Sequence, residues 1–396
     1  MSQNLPAIRI QPGRHKRAAG GHPWVYSNEI QMDNAAKALP PGSLVRVLDA
    51  GGSALGTATF NPHTLIAARL LTRDAAEIVD TGFVAGRLRR ALDVRDRLFA
   101  RPFYRLIHAE ADGMPALIVD RYGDVVVVQA NSAGMDRLLP QILEAIVEVL
   151  APRAIVLRND SPARGLEGLG EEVRIAAGDL GGPVPVEENG ATFFADPASG
   201  QKTGWFFDQR DNRAFVASLA KGRSVIDFYT YSGGFGVLAA ARGAARTVLV
   251  DRSAGALELA MKAAETNGVA DRVEARKADA FGELERLANA GETFEVVILD
   301  PPAFVKSKKD LAAGTRAYRK MARMGAQITA PGGVLLVASC SHNMPPELFA
   351  EQAARGLADA GRQGRILRTA GAGPDHPVHP NLPESAYLKA QVLALD

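Results

Sequence analysis

From Ser224 onward, short apolar runs recur at intervals of about 20 to 40 residues with helical stretches between them, the rhythm of repeated strand–helix units. The runs at 224–228, 246–250, 272–275, 295–299 and 333–338 are rich in Val, Ile and Leu and do not strictly alternate. Strands covered on both faces of a parallel sheet read this way, whereas half-solvated strands alternate. After the second run, Ser253 can cap a helix that places Leu257, Ala260, Met261 and Ala264 on one face and ends at Asn267-Gly268. The pattern predicts a doubly wound α/β domain. Segments 365–369 and 387–395 read as two further strands separated by a Pro-rich loop.

The N-terminal half follows other periods. Runs at 44–48, 54–60 and 65–71 are punctuated by Gly and Pro, including Pro40-Pro41-Gly42, and predict a small β-barrel. From Ala75 the spacing of Ile78, Phe83, Leu88, Leu92 and Phe99 among arginines predicts an amphipathic connecting helix or helix pair, with a boundary near Arg73. Strands at 104–109, 116–120, 125–131 and 154–157 and a helix at 135–150 make an α+β middle domain, and 160–185 reads as loop with room for one short strand. The expected domains are 1–73, 74–185 and 186–396.

At about 150 residues per domain, 396 residues agree with two or three domains. No apolar run approaches the roughly 18 residues of a membrane span, so a bilayer-spanning chain is excluded. Residues 1–17 carry charge without the apolar block of a secretory signal. One cysteine, Cys340, cannot form an intramolecular disulfide or a thiolate-rich zinc site, so a cytoplasmic protein without a bound metal is expected. The balance of 46 basic against 44 acidic residues leaves polyanion binding to local patches. Three are candidates: Arg14-His15-Lys16-Arg17; the arginines from Arg87 to Arg105, equally a solvated helix face; and Lys306, Lys308, Lys309, Arg316, Arg319, Lys320 and Arg323.

In an open α/β sheet the ligand lies outside the carboxyl ends of the strands, so those ends hold the candidate chemistry. The first strand runs into Asp227-Phe228-Tyr229-Thr230-Tyr231-Ser232-Gly233-Gly234-Phe235-Gly236, a turn where glycines admit a ligand to the backbone and to a helix N-terminus, or simply turn the chain. The second ends at Asp251, placed to accept both ribose hydroxyls of an adenosine-containing cofactor. After the third, Asp279-Ala280 faces an adenine edge or is a solvated loop acid. The fourth ends in Asp300-Pro301-Pro302-Ala303-Phe304, stiffened by two prolines and offering an aromatic face to a planar substrate. The fifth ends in Ser339-Cys340-Ser341-His342, which puts the only thiol at the rim where a reaction would occur; His342 reads as a local polar contact.

These segments resemble the class I S-adenosylmethionine-dependent methyltransferases. More narrowly, the full length resembles the bacterial large-subunit ribosomal RNA cytosine-C5 methyltransferases with an N-terminal PUA domain. The resemblance is carried by residues 21–30 (GHPWVYSNEI), 201–210 (QKTGWFFDQR), the glycine turn, Asp300-Pro301-Pro302 and Ser339-Cys340-Ser341. It implies a Rossmann-like sheet of seven strands with the last antiparallel. Asp208, Arg210, Asp227, Tyr229, Gly233, Gly234, Asp251, Asp279, Ala280 and Asp300 would bind S-adenosylmethionine. Cys340 would be the nucleophile that adds to C6 of the pyrimidine, with Asp300 hydrogen-bonding the ring edge. Pro301, Pro302, Phe304, Lys306 and Lys308 would meet the substrate, and the expected partners are ribosomal RNA and, as a further one, a second copy of the chain. Many RNA cytosine-C5 enzymes carry a second cysteine after the proline of the fourth-strand motif; here that position is Ala303, an arrangement nearer to the uracil-C5 enzymes. Alternatives are uracil C5, an exocyclic base amine, an inactive RNA-binding or ribosome-assembly protein, and a dinucleotide dehydrogenase, the last disfavoured by the missing Gly-x-Gly-x-x-Gly.

Overall fold

The computed structural model describes residues 4–396, so the first three residues of the expected 1–73 domain and of the 1–17 segment lie outside the described residues. Two compact units emerge. One is the chain up to Val184 with Asp196–Trp205 and Pro374–Pro383; the other is Pro185–Ala195, Phe206–Gly373 and Glu384–Asp396.

The first unit holds two sheets. Strands Ala7–Arg9, Trp24–Tyr26, Ser43–Leu48, Ala54–Phe60 and Ile66–Thr72 line up in the order first, third, fourth, fifth, second. Its outer edges meet through Gln11 N–H to Glu29 C=O at 2.7 Å and Gln31 N–H to Arg9 C=O at 2.8 Å, closing the sheet on itself. Closure removes the unpaired edges that an open sheet would expose. Ile8, Val25, Val45, Val47, Ala58 and Phe60 fill the interior. The two three-residue strands were not expected, being too short to show alternation.

Strands Phe103–His108, Leu117–Tyr122, Val125–Ala130, Ala154–Asn159 and Glu172–Gly178 form the second sheet in chain order. Only Val125–Ala130 and Ala154–Asn159 run parallel, joined by a helical crossover. That crossover, expected as one helix over 135–150, is two, Ala133–Arg137 and Leu139–Leu150, because Pro140 starts the second and cannot continue the first. Helix Thr81–Leu98, capped by Asp80, packs its Phe83, Val84 and Leu88 onto the sheet. Most of the Arg87–Arg105 cluster is structural. Arg95 forks onto Asp112 at 2.7 Å, Arg105 onto Asp120 at 2.8 and 2.9 Å, Arg89 and Arg97 pair with Glu148 and Asp93, and Arg87 donates to Leu71 C=O.

In the second unit the predicted α/β domain forms one seven-stranded sheet. The strands are β1 (Ser224–Phe228), β2 (Arg246–Asp251), β3 (Val273–Lys277), β4 (Phe294–Leu299), β5 (Thr329–Ser339), β6 (Gly364–Ala370) and β7 (Lys389–Leu395), and their order is 3-2-1-4-5-7-6. Neighbours from β3 to β5 are parallel, and β7 is antiparallel to both β5 and β6, as the resemblance implies. The helices are α1 (Arg210–Ser218), α2 (Gly234–Ala241), α3 (Ala254–Thr266), α4 (Ala280–Ala290), α5 (Leu311–Ile328) and α6 (Pro346–Asp359). Ser253 caps α3 by accepting the Ala256 N–H, as its sequence position predicts. Both sheet faces are covered: Ile226, Val248 and Val297 sit in one cluster, Val225, Val296 and Ile298 in another, which is why these strands lack alternation. The order reverses between β1 and β4, and the strand ends on either side of that switch carry the candidate residues.

Candidate active site

Between β1 and α2 the backbone takes an unusual course. Tyr229, Tyr231 and Gly233 have φ of +59°, +52° and +87°. For the two tyrosines this costs on the order of 1 kcal/mol each, and neighbouring side chains hold the turn. Asp227 Oδ2 accepts the Thr230 hydroxyl at 2.6 Å and the Gly236 N–H at 2.9 Å. Asp251, at the end of β2, accepts the Tyr231 N–H and the Ser253 N–H, each at 2.9 Å and each on a different oxygen. No side chain fits on the glycines: a Cβ would stand 2.7 Å from Val237 at Gly233, 2.5 Å from the Arg213 Nε at Gly234 and 2.2 Å from Leu249 at Gly236. The turn therefore presents backbone.

Asp227 itself lies beneath the turn, with no hydrogen-bond partner on Oδ1; burial pushes its carboxyl up to about 7, against the Thr230 and Gly236 bonds and with the Asp300 charge adding to the rise. Asp251 is half-buried, and each of its oxygens retains acceptor capacity beyond its one backbone donor. That donor set, above a turn that excludes Cβ atoms, fits the ribose and amino-acid ends of S-adenosylmethionine. Asp279 is a helix cap: it accepts the Gly282 N–H at 3.1 Å and pairs with Arg252, which together hold it below the usual carboxylate range. Ala280 is buried as the first residue of α4. Burial first, and then the Asp279 charge, raise the Tyr229 hydroxyl, so these two lie within electrostatic reach.

The junction into α1 buries both of its candidates. Asp208 accepts the Tyr387 hydroxyl at 2.5 Å, and its main-chain carbonyl accepts the Gly373 N–H. Arg210 lies over the Phe207 ring and 3.9 Å from Glu188. Glu188, fully buried, also takes Arg213 at 2.8 Å, and Arg213 donates to Phe206 C=O. Glu188 and Arg213 were not among the expected residues. Their signal was available: Glu188 precedes Asn189-Gly190, both at positive φ, in a hairpin of Val184–Glu188 and Ala191–Ala195, and Asn-Gly between apolar runs marks such a turn.

Across the switch point, β4 and β5 pair in parallel, so Asp300-Pro301-Pro302 and Cys340-Ser341 leave the sheet side by side. Ser339 and Ser341 are fully buried and each bonds the Tyr318 hydroxyl at 2.8 Å; Ser341 Oγ also accepts the Val305 N–H at 3.1 Å. Burial raises the Tyr318 hydroxyl, which stays neutral and serves as a clamp between the two loops. Cys340 lies between the two serines, one residue past the end of β5. Its thiol is half-buried, with Sγ 4.0 Å from Pro301 C=O. Phe304 packs 4.8 Å from the Tyr318 ring and 6.1 Å from Phe281, within an aromatic row. Pro301 is buried, whereas Pro302, Lys306 and Lys308 are exposed. His342 stacks on Tyr387 at 5.1 Å, the local contact its position suggested. Tyr387 and the neighbouring Lys389 were also not expected, because the Pro-rich stretch before β7 hides which strand ends it approaches. A half-buried thiol at the carboxyl end of a strand near the switch point can add to an electrophilic ring carbon.

The S-adenosylmethionine-dependent methyltransferase family profile matches residues 173–391, and a PUA-like domain profile matches 8–73. Ribosomal RNA large subunit methyltransferase I of Shewanella frigidimarina is 37% identical over 390 residues, spanning 97% of this chain and 98% of that protein. A protein from Streptococcus mutans assigned as a SAM-dependent methyltransferase superposes with a TM-score of 0.82, at 20% identity, over 98% of this chain and 100% of its own. A structure assigned as a methyltransferase and solved with SAH superposes with a TM-score of 0.84, also at 20% identity, over 98% and 100%. At that identity the two structures speak for the fold. No helix among the described residues is long and apolar enough to cross a membrane.

Proposed function

The chain belongs to the ribosomal RNA large subunit methyltransferase I family of S-adenosylmethionine-dependent methyltransferases, and on that premise we propose that it methylates C5 of a cytosine in large-subunit ribosomal RNA through a transient bond from Cys340 to C6. The observation that carries this reading is the half-buried thiol held 4.0 Å from Pro301 C=O, where the Tyr318 clamp joins the β4 and β5 loops. The cofactor, when bound, supplies an electrophilic methyl group. The residues that would hold it are Asp251, Tyr229, Ala280 and the backbone of the Gly233-Gly234 turn, with Asp208 and Arg210 from the preceding segment; Asp227 shapes that turn from below, and Asp279 caps the helix beside it.

C5 of cytosine is too weak a nucleophile alone. Addition of the Cys340 thiolate to C6 would move the C5=C6 electron pair to C5, which would take the methyl group as its bond to the sulfonium sulfur breaks and leaves a neutral thioether. Loss of the C5 proton to a base re-forms the double bond and expels the thiolate. Asp300, protonated, would donate to N3 at the ring edge and so stabilise the negative charge that develops there. Pro302, Lys306 and Lys308 are exposed around this rim, where the lysines suit phosphate contacts that position RNA without reading its sequence. The PUA-like domain supports RNA as the partner, and a ribosomal RNA substrate is in keeping with a cytoplasmic protein.

Cys340→Ser tests the reading. Nucleoside mass spectrometry of ribosomal RNA should find one methylcytosine missing in cells carrying only the variant, and 5-fluorocytidine RNA should form a denaturant-stable adduct with wild type alone. Retained methylation in Cys340→Ser would move the reaction to a base amine, and a missing methyluracil would move it to uracil. Sedimentation of the purified protein decides between monomer and homodimer.

A further inference from the structure

Lys389 opens β7 directly opposite Ser339 of β5. Only 8% of it is exposed, and its ammonium donates to Ser341 C=O at 2.6 Å and to Tyr387 C=O at 2.7 Å. It takes part in no ion pair among the described residues. An ammonium has three donors, so one remains beyond the two carbonyls. Burying a cation without a carboxylate is costly, and its two carbonyl partners offset only part of that cost. Burial pushes Lys389 down to about 8, and the charge of an ionised Cys340 acts in the opposite direction, which couples the two groups.

We propose that Lys389 is a positioning residue for the thiol: it pins the turn that follows Cys340 and holds that sulfur in its ionised, nucleophilic form. This rests on the reading of Cys340 as the nucleophile. Around the sulfur stand Pro301 C=O after β4, Tyr318 on α5 and Lys389 on β7, with His342 in the same turn stacked on Tyr387. Lys389 supplies the positive charge, and because burial lowers it to about 8 while an ionised Cys340 raises it, the two groups titrate together.

Because the chain has one cysteine, alkylation by iodoacetamide reads this thiol without background. The rate is followed by intact mass against pH for wild type, Lys389→Met and Lys389→Arg, each with a thermal melt. The wild-type midpoint should lie below the ordinary value of about 8.5. Lys389→Met should raise it by about one unit, a tenfold change in the ionisation constant, and Lys389→Arg should restore it. A less acidic thiolate attacks faster, so the rate at a single pH moves only about threefold and the midpoint is the decisive reading. An unmoved midpoint in folded Lys389→Met, or an equal rise in Lys389→Arg, overturns the proposal. If Lys389→Met does not fold, a wild-type midpoint at or above about 8.5 overturns it and one below supports it. Methylation by Cys340→Ser is scored separately: its loss with an unmoved midpoint removes the role of Lys389 alone, whereas its retention removes the nucleophile whatever the midpoint does.

Discussion

The buried carboxyl of Asp227 ties the stability of the second unit to pH in an unusual direction. Its folded value of about 7 lies above the ordinary 3.8, so between those two values the native state binds a proton that the unfolded chain has released. The stabilisation from that proton is complete below pH 3.8, falls as pH rises through the window, and is gone above about 7. Between pH 5 and pH 8 about two units of that window are crossed, worth about 3 kcal/mol at 1.36 kcal/mol per unit. Asp227→Asn is neutral throughout and should lose this dependence. The amide places an NH2 at the position of Oδ1, which has no partner, at a constant penalty of about 1 to 3 kcal/mol. The test is therefore the slope and not the offset. Both tryptophans, Trp24 and Trp205, belong to the first unit, so urea unfolding should be followed by far-UV circular dichroism and its transitions fitted separately. The variant should gain about 3 kcal/mol on wild type from pH 5 to pH 8. Parallel curves would refute the reasoning.

Other substitutions probe other joints. Gly233→Ala combines a positive φ with a Cβ 2.7 Å from Val237 and 3.0 Å from Ala260; about 2 to 4 kcal/mol of destabilisation and weaker S-adenosylmethionine binding by calorimetry are expected. Arg95→Met strands Asp112 in a site where the two side chains are 2% and 9% exposed; a loss of about 3 to 5 kcal/mol in the first unit should appear as a lower tryptophan unfolding midpoint. Tyr387→Phe removes the hydroxyl bonded to buried Asp208 and should raise the cofactor Kd more than it lowers the melting temperature. Replacing Lys306 and Lys308 with Gln should lower RNA affinity for every sequence and flatten its salt dependence by about two contacts, read by filter binding at several salt concentrations.

Much of this site was legible because chemistry and period coincide at strand ends. Asp251, Asp300 and Cys340 each close an apolar run, and a parallel sheet brings such ends to one edge whatever lies between them. Asp279 shows what strand-end position leaves out: the same carboxylate also caps the following helix and pairs with Arg252. Glu188 and Arg213 stand far apart in sequence and become a pair only when the hairpin packs beside α1. The arginines from Arg87 to Arg105 looked like one basic surface, and folding spends Arg95 and Arg105 on buried carboxylates.

The amino-acid order alone determined the strand–helix rhythm, the closed N-terminal sheet and the location of the only thiol, since each depends on local period or on the identity of one residue. Tertiary structure decided which way that thiol faces and what surrounds it. Tyr318 reaches Ser339 and Ser341 from another helix, and Lys389 arrives from the last strand, antiparallel to β5. Neither contact has a period to read, because hydrogen bonds between distant segments depend on where the sheet's register places them. An ion's energy depends in turn on how much water that register removes.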